Sequence, residues 1–211
     1  LNFLNLGVNN LSNLPVEIGK LRNLQFLNLK YNKLINLPVE IGQLTNLKSL
    51  DVECNRLSNF PAEIIKLTNL QSLNISNNRL SNLPPEIIKL TNLQSLNISD
   101  NLLSNLPPEI AQLSNLQYLD LRFNKMRNLP TEIGYLTQLK KLIIGQYKYD
   151  LDGCIVSYIS NSLRQLPKEI GLLAQLEELQ IVGNQLSHLP NEIVQLPNLQ
   201  FLDLSYNQLS N

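Results

Sequence analysis

Few side chains in this sequence could carry covalent or metal chemistry, and their placement keeps them apart. The one histidine, His188, stands where comparable stretches have Asn13, Asn36 and Asn59, which makes it a turn residue. A Ser/His/Asp or Cys/His set would need that imidazole beside a nucleophile. Asp150, Asp152 and Gly153 resemble part of a calcium loop but lack the further oxygen ligands and the closing glutamate. Gly145 to Gly153 holds no phosphate-cradling glycine pattern, and no Walker lysine motif occurs. The expectation is no enzyme activity within these residues, no metal and no cofactor.

What the chain does offer is contact chemistry, because aromatic residues and arginine most often anchor interfaces between proteins. Tyr118, Asp120, Arg122 and Phe123 fall together, as do Phe26, Asn28, Lys30 and Tyr31, and Phe201, Asp203 and Tyr206. Lys141 extends the first group. Residues two apart share one side of a strand, so most of each group should project in common. The stretch 145–160 adds Tyr147, Tyr149 and Tyr158, three of the chain's seven tyrosines.

The elements that must position these residues come from repetition. Leu70–Asn92 returns as Leu93–Asn115, and the template LxxLxLxxNxLxxLPxEIxxLxx starts afresh at Leu1, Leu24, Leu47, Leu70, Leu93, Leu116, Leu139, Leu176 and Leu199. Leu73-Asn74-Ile75 alternates apolar and polar, the mark of a short half-buried strand. Asn78 follows in a turn whose unpaired backbone its amide can satisfy. Its counterparts Asn9, Asn32, Asn55, Asn101, Asn124, Asn161, Asn184 and Asn207 would stack as a ladder. Pro84, Glu86, Ile87 and Leu90 then predict a short helix with proline and an acid in its first turn. The recurring glutamates Glu17, Glu40, Glu63, Glu86, Glu109, Glu132, Glu169 and Glu192 read as helix starts, not as catalytic acids. One such unit cannot bury its own apolar side, so the units must stack into a solenoid with a continuous core.

This template resembles the leucine-rich repeat family over the whole of 1–211, and most closely its 23-residue LPxEIxxL class, found in Ras-group, LAP and Roco proteins. The resemblance implies an α/β solenoid: a right-handed superhelix, or horseshoe, with a parallel sheet on the concave face and short helices on the convex face. It implies a protein-interaction scaffold in intracellular signalling, binding a protein or peptide, with a small GTPase among the possible partners. The alternative it suggests is the recognition domain of a larger enzyme such as a Roco-type GTPase or kinase.

On this reading the third, fifth, seventh and eighth residues of each repeat face outward on the sheet. Ser72, Ser76, Ser95 and Ser99 would line a smooth polar trough around Asn74 and Asn97. The partner would be gripped at Tyr118, Arg122 and Phe123, with the insertion as a second wall. Against this stands the plainer arrangement in which the aromatics only stack on one another, and the insertion is a hairpin turning at Asp152-Gly153 that serves packing alone.

Lysine plus arginine and aspartate plus glutamate number 17 each, and no basic run occurs in the sequence, so nucleic-acid and membrane partners are not expected. Cys54 and Cys154 are too far apart in a solenoid to pair, and with no cysteine-rich cap a cytoplasmic setting is expected. The sequons at Asn10, Asn74 and Asn97 are read as accidental. The domain is expected to span 1–211 as eight full repeats and a truncated ninth, a fragment without either cap.

Overall fold

The computed structural model describes residues 1–149, 155–157 and 160–210, with 148, 149 and 155–157 described for their backbone. Every coil opens on a strand: β1 (Phe3–Asn5), β2 (Phe26–Asn28), β3 (Ser49–Asp51), β4 (Ser72–Asn74), β5 (Ser95–Asn97), β6 (Tyr118–Asp120) and β7 (Lys141–Gly145). After β7 come β8 (Lys148–Tyr149) and β9 (Ile155–Ser157), then β10 (Glu178–Ile181) and β11 (Phe201–Asp203). Nine of these form one parallel sheet in the order β1-β2-β3-β4-β5-β6-β7-β10-β11. Its register matches equivalent residues of neighbouring coils, as in Ser72↔Ser95, Leu73↔Leu96 and Asn74↔Asn97. The chain is therefore an α/β solenoid built on a parallel sheet.

The middle residue of each strand and the apolar residue two further on turn inward. Leu50, Val52, Leu73, Ile75, Leu96 and Ile98 are buried to 1% exposure or less, inside one core that runs the length of the stack. The return leg is a single turn of 3₁₀ helix, such as Val16–Lys20, Val39–Gln43 and Thr131–Tyr135. A proline in extended conformation precedes it, as Pro15 and Pro130 do. The amide of the leucine after it closes on the isoleucine carbonyl, as from Leu21 to Ile18 at 3.1 Å. Five residues between that proline and a leucine that must re-enter the core leave room for a tight i→i+3 turn and no longer helix.

The asparagine ladder forms. Asn55 Nδ2 donates to the carbonyls of Leu29, Val52 and Glu53 at 3.0–3.2 Å, while its Oδ1 accepts the amide of Leu34 at 2.9 Å. Asn78 repeats this toward Val52, Ile75, Ser76 and Leu57. Each ladder asparagine thus ties its own turn to the coil before it. Just ahead of it the eighth residue adopts positive φ: Val8, Tyr31, Cys54, Asn77, Asp100, Phe123, Tyr206 and Gly183 lie at 52–67°. A second ladder, which the sequence reading missed, runs at the last position of the repeat. There Asn46, Asn69, Asn92, Asn115 and Asn198 donate to the carbonyls of Arg22, Thr45, Thr68, Thr91 and Ala174 at 2.7–2.9 Å.

The insertion leaves the stack after β7. Strands β8 and β9 pair antiparallel, so this segment contains a hairpin. The expected turn at Asp152-Gly153, and Tyr158, lie outside the described residues. Gly145 ends β7 opposite Ile181, where the register shifts. A Cβ on Gly145 would stand 1.8 Å from the carbonyl oxygen of Val182, so only glycine fits.

Candidate protein-binding face

The first residues of the strands form one row across the sheet: Phe3, Phe26, Ser49, Ser72, Ser95, Tyr118, Lys141, Glu178 and Phe201. Phe3, Phe26 and Phe201 are exposed by 43–59%. Phe3 and Phe26 pack with ring centroids 6.4 Å apart and planes tilted by 42°. Lys141 meets Glu178 of the next strand at 2.7 Å, which makes it half of an ion pair on the face.

The row of third strand residues corrects an expectation. Read as outward contacts, these residues close turns instead. Oδ1 of Asn5, Asn28, Asp51, Asn97 and Asp203 accepts the amide two residues on at 2.9–3.0 Å. Ser76 and Ser99, expected in the trough, are buried because their hydroxyls donate to Asn74 and Asn97 at 2.8 Å. Ile143 is buried as well. The same side-chain-to-backbone bond that makes Asn and Asp favourable at turns engages one oxygen of these side chains, most of which stay partly exposed.

Asp120 is the main case. It is fully buried, so it does not present itself to a partner. Its oxygens accept from Arg122 Nε at 2.9 and 3.0 Å and from the terminal Nη2 at 2.6 Å. They also take the Arg122 amide at 3.1 Å and the Tyr118 hydroxyl at 3.2 Å. Tyr118, Asp120 and Arg122 therefore converge as expected, but around a buried carboxylate. Burial alone lowers the Arg122 pKa; the hydrogen bond and charge of Asp120 outweigh it and raise the value. Burial, then the charge of Asp120, raises that of Tyr118. Arg122 keeps 23% of its side chain exposed, so the cluster leaves a guanidinium edge open to solvent beside a tyrosine ring tied to the same carboxylate.

Phe123 lies beside Arg122, half-buried, on a left-handed turn. In the second coil Tyr31 occupies the equivalent turn and is 50% exposed. Lys30 donates its amide to Asn28. Tyr31, Cys54 and Asn77 form a row at the bend, where Asn77 donates to the Cys54 thiol at 3.0 Å. Burial raises the Cys54 pKa, which does not favour a reactive thiolate. At the other end the insertion reaches the stack: Tyr147 meets Tyr206 edge-on with centroids 5.6 Å apart. Tyr206 also lines a cavity of 320 Å³ with Asn161, Gly183, Asn184 and Gln208. The side chain of Tyr149 is outside the described set. His188 lies exposed in its turn, its Nδ1 2.9 Å from the Ser187 hydroxyl. Among the described residues no helix is long and apolar enough to cross a membrane.

A stack of parallel strands closed by asparagine ladders, carrying its variable side chains along one sheet, defines a solenoid repeat protein. The Leucine rich repeat family profiles match residues 45–103, 91–146 and 159–209, with a further match at 23–44. The chain belongs to the leucine-rich repeat family. It is similar to a leucine-rich repeat protein of Leptospira interrogans, at 42% identity and TM-score 0.90, over all of this chain and 50% of that one. It is also similar to the ectodomain of the Arabidopsis thaliana receptor kinase GASSHO1/SCHENGEN3 in complex with CASPARIAN STRIP INTEGRITY FACTOR 2. There the identity is 32% and the TM-score 0.79, over 98% of this chain and 24% of that one. A third is the Arabidopsis receptor kinase HAESA in complex with the peptide hormone IDA and the co-receptor SERK1, at 30% and 0.77, over 99% and 34%. The chain spans half the length of the Leptospira structure and less of the receptors. Comparison with curated proteins returns no match.

Proposed function

We propose that this chain is a protein-interaction scaffold that binds a protein or peptide on the solvent face of its sheet, gripped around Tyr118, Arg122 and Phe123. The observation that carries it is the buried Asp120 carboxylate, which fixes Arg122 and Tyr118 before any partner arrives. Side chains already ordered lose less entropy on binding. The similar receptor structure solved with a peptide hormone and a co-receptor bound supports a protein or peptide as the ligand. Lys141, Phe201, Tyr206 and Tyr147 extend the surface toward the insertion, and Phe26, Lys30 and Tyr31 form a second anchor at the far end.

The unit proposed is a single repeat domain over 1–211 with an insertion at about 145–160. The finer assignment is to the 23-residue LPxEIxxL class, carried by its recurring motif, and with it a cytoplasmic signalling role and a small GTPase as partner. The other reading keeps the same face but makes the chain the recognition segment of a larger enzyme; the similarity to receptor kinases supports it.

Neighbouring coils supply tolerated replacements for a test. Tyr118→Ser and Phe123→Asn place at these positions what Ser95 and Asn77 already are. Affinity capture with this pair should lose partners that the parent chain retains, with circular dichroism unchanged. Identical capture would reject the face.

A further inference from the structure

We infer that the edge of the solenoid beyond the asparagine turns is a second docking surface, one that takes an acidic peptide segment of a protein partner. The inference rests on the reading of the chain as a protein-interaction scaffold and adds a surface and a charge to it. Residues from the turn asparagine to the proline of each coil, such as 32–38, 55–61, 78–84 and 124–130, include no aspartate or glutamate in any of the nine coils. They do include Lys33, Arg56, Arg79, Lys125, Arg127 and Arg164. Read along the chain these cations are scattered, and the sequence has no basic run.

The fold lines them up. The amides of Lys33, Arg56, Arg79 and Lys125 each donate to the carbonyl of the leucine that follows the equivalent residue one coil earlier: Leu11, Leu34, Leu57 and Leu103, at 2.8–2.9 Å. This bond sets Lys33, Arg56 and Arg79 side by side at the spacing of parallel strands, about 4.8 Å, with Lys125 one coil beyond Leu102. All six side chains are exposed, and none takes part in an ion pair within 4.0 Å among the described residues.

Elsewhere the stack matches opposite charges across neighbouring coils, as in Lys140 with Glu177 and Lys141 with Glu178. Like charges on adjacent rungs repel. The glutamate column also repeats one sign, but its members sit in helix first turns, where free amides favour a carboxylate. Nothing comparable offsets the cations of the edge, so an acidic ligand supplies the missing charge. Between them stand exposed Asn36, Ser58 and Ser81 as hydrogen-bonding groups, and Leu102 and Ile35, exposed by 43% and 55%, as apolar footholds. The exposed positions hold no Phe, Tyr or Trp, so nucleic-acid bases would find no stacking platform, and a peptide is the better match.

The probe is a fluorescent decaglutamate peptide, followed by anisotropy at low and at physiological salt. Lys33→Gln/Arg56→Gln/Arg79→Gln is the test variant, since Gln185 and Gln208 hold the same position in later coils and fit the turn. We expect binding that weakens with salt and falls about tenfold in the variant. It should be unchanged in Lys66→Gln/Lys89→Gln on the helical side and in Tyr118→Ser/Phe123→Asn on the sheet. No binding by the parent chain, equal binding by the edge variant, equal loss in the helical-side control, or tighter binding of a single-stranded oligonucleotide of equal charge would overturn the inference. Loss of partner capture in the sheet variant bears on the sheet face alone, so the two surfaces succeed or fail separately.

Discussion

The hydroxyl of Ser160 accepts the backbone amide of Phe123 at 2.8 Å and donates to the carbonyl of Ile144 at 3.0 Å. In coils without an insertion that amide meets a backbone carbonyl of the next coil, as from Cys54 to Ser76 and from Asp100 to Arg122. The insertion carries this part of the backbone away, and a side chain from its far end takes over the bond. Beside it, Asn161 donates to Leu121 and Ile144 at 2.9 and 2.7 Å and accepts the Met126 amide, so the ladder continues across the gap.

Ser160→Ala should therefore cost about 1–3 kcal/mol, because it removes both the acceptor offered to the Phe123 amide and the bond to the Ile144 carbonyl. Urea denaturation measures it. A loss below about 0.5 kcal/mol would show that another group or water satisfies Phe123. Ser162→Ala, only half-buried two residues on, is the matched control and should be close to neutral.

Asp120→Asn and Asp120→Ala separate the two roles of that carboxylate. Asparagine keeps the bond to the Arg122 amide, as Asn97 does in the preceding coil, and gives up the ion pair. We expect a loss of about 1–2 kcal/mol for Asn, moderated because Arg122 can reach water, and a further loss of about 1 kcal/mol for Ala. Equal losses in chemical denaturation would mean that the turn bond contributes nothing.

Tyr118 gives the stack an alkaline limit. Its pKa is raised in the folded chain, first by burial. The stabilisation is therefore fully present below the unfolded value of about 10, and it declines as pH rises from there through the folded value. Phenolate absorbance should show one tyrosine that ionises only after the others, and Tyr118→Phe should flatten the fall of stability at high pH. A slope identical in the variant would remove Tyr118 as the cause.

Gly145→Ala should destabilise by about 2–4 kcal/mol, because the new methyl would overlap the Val182 carbonyl and force β7 from β10. Gly7 is the comparison: a Cβ there meets only side-chain atoms, at 3.1–3.3 Å. Similar thermal midpoints for Gly145→Ala and Gly7→Ala would count against the close approach at Gly145.

The architecture was legible because leucine spacing leaves little choice. Leu73, Ile75, Leu80 and Leu83 can all be buried only if a strand, a turn and a return leg share a core with the coil beyond. The turn asparagines were legible for the same reason, since a lone amide among buried leucines must serve the backbone. The fifth column was not. Alternation places Asn97 and Asp120 on the outer side of the strand, but it does not say that Oδ1 folds back to an amide two residues on, nor that Asp120 ends up buried. The cations of the edge were hidden for a different reason: Lys33, Arg56 and Arg79 are distant in sequence and become neighbours only when the coils stack. The second ladder does leave a signal, the repeated Asn46, Asn69, Asn92 and Asn115, but asparagine is common in turns, and repetition alone does not say that these amides reach the coil before.

The turn asparagines reach only one way, from each coil to its predecessor. Leu57 owes the acceptor for its amide to Asn78, and Leu80 to Asn101. The stack therefore has a grain, like overlapping roof tiles: lifting a late coil lays bare the one beneath it, while removing an early coil leaves its successor's own turn bonds in place. Loosening of this protein should travel from the Asn207 end toward the Asn9 end more readily than the reverse.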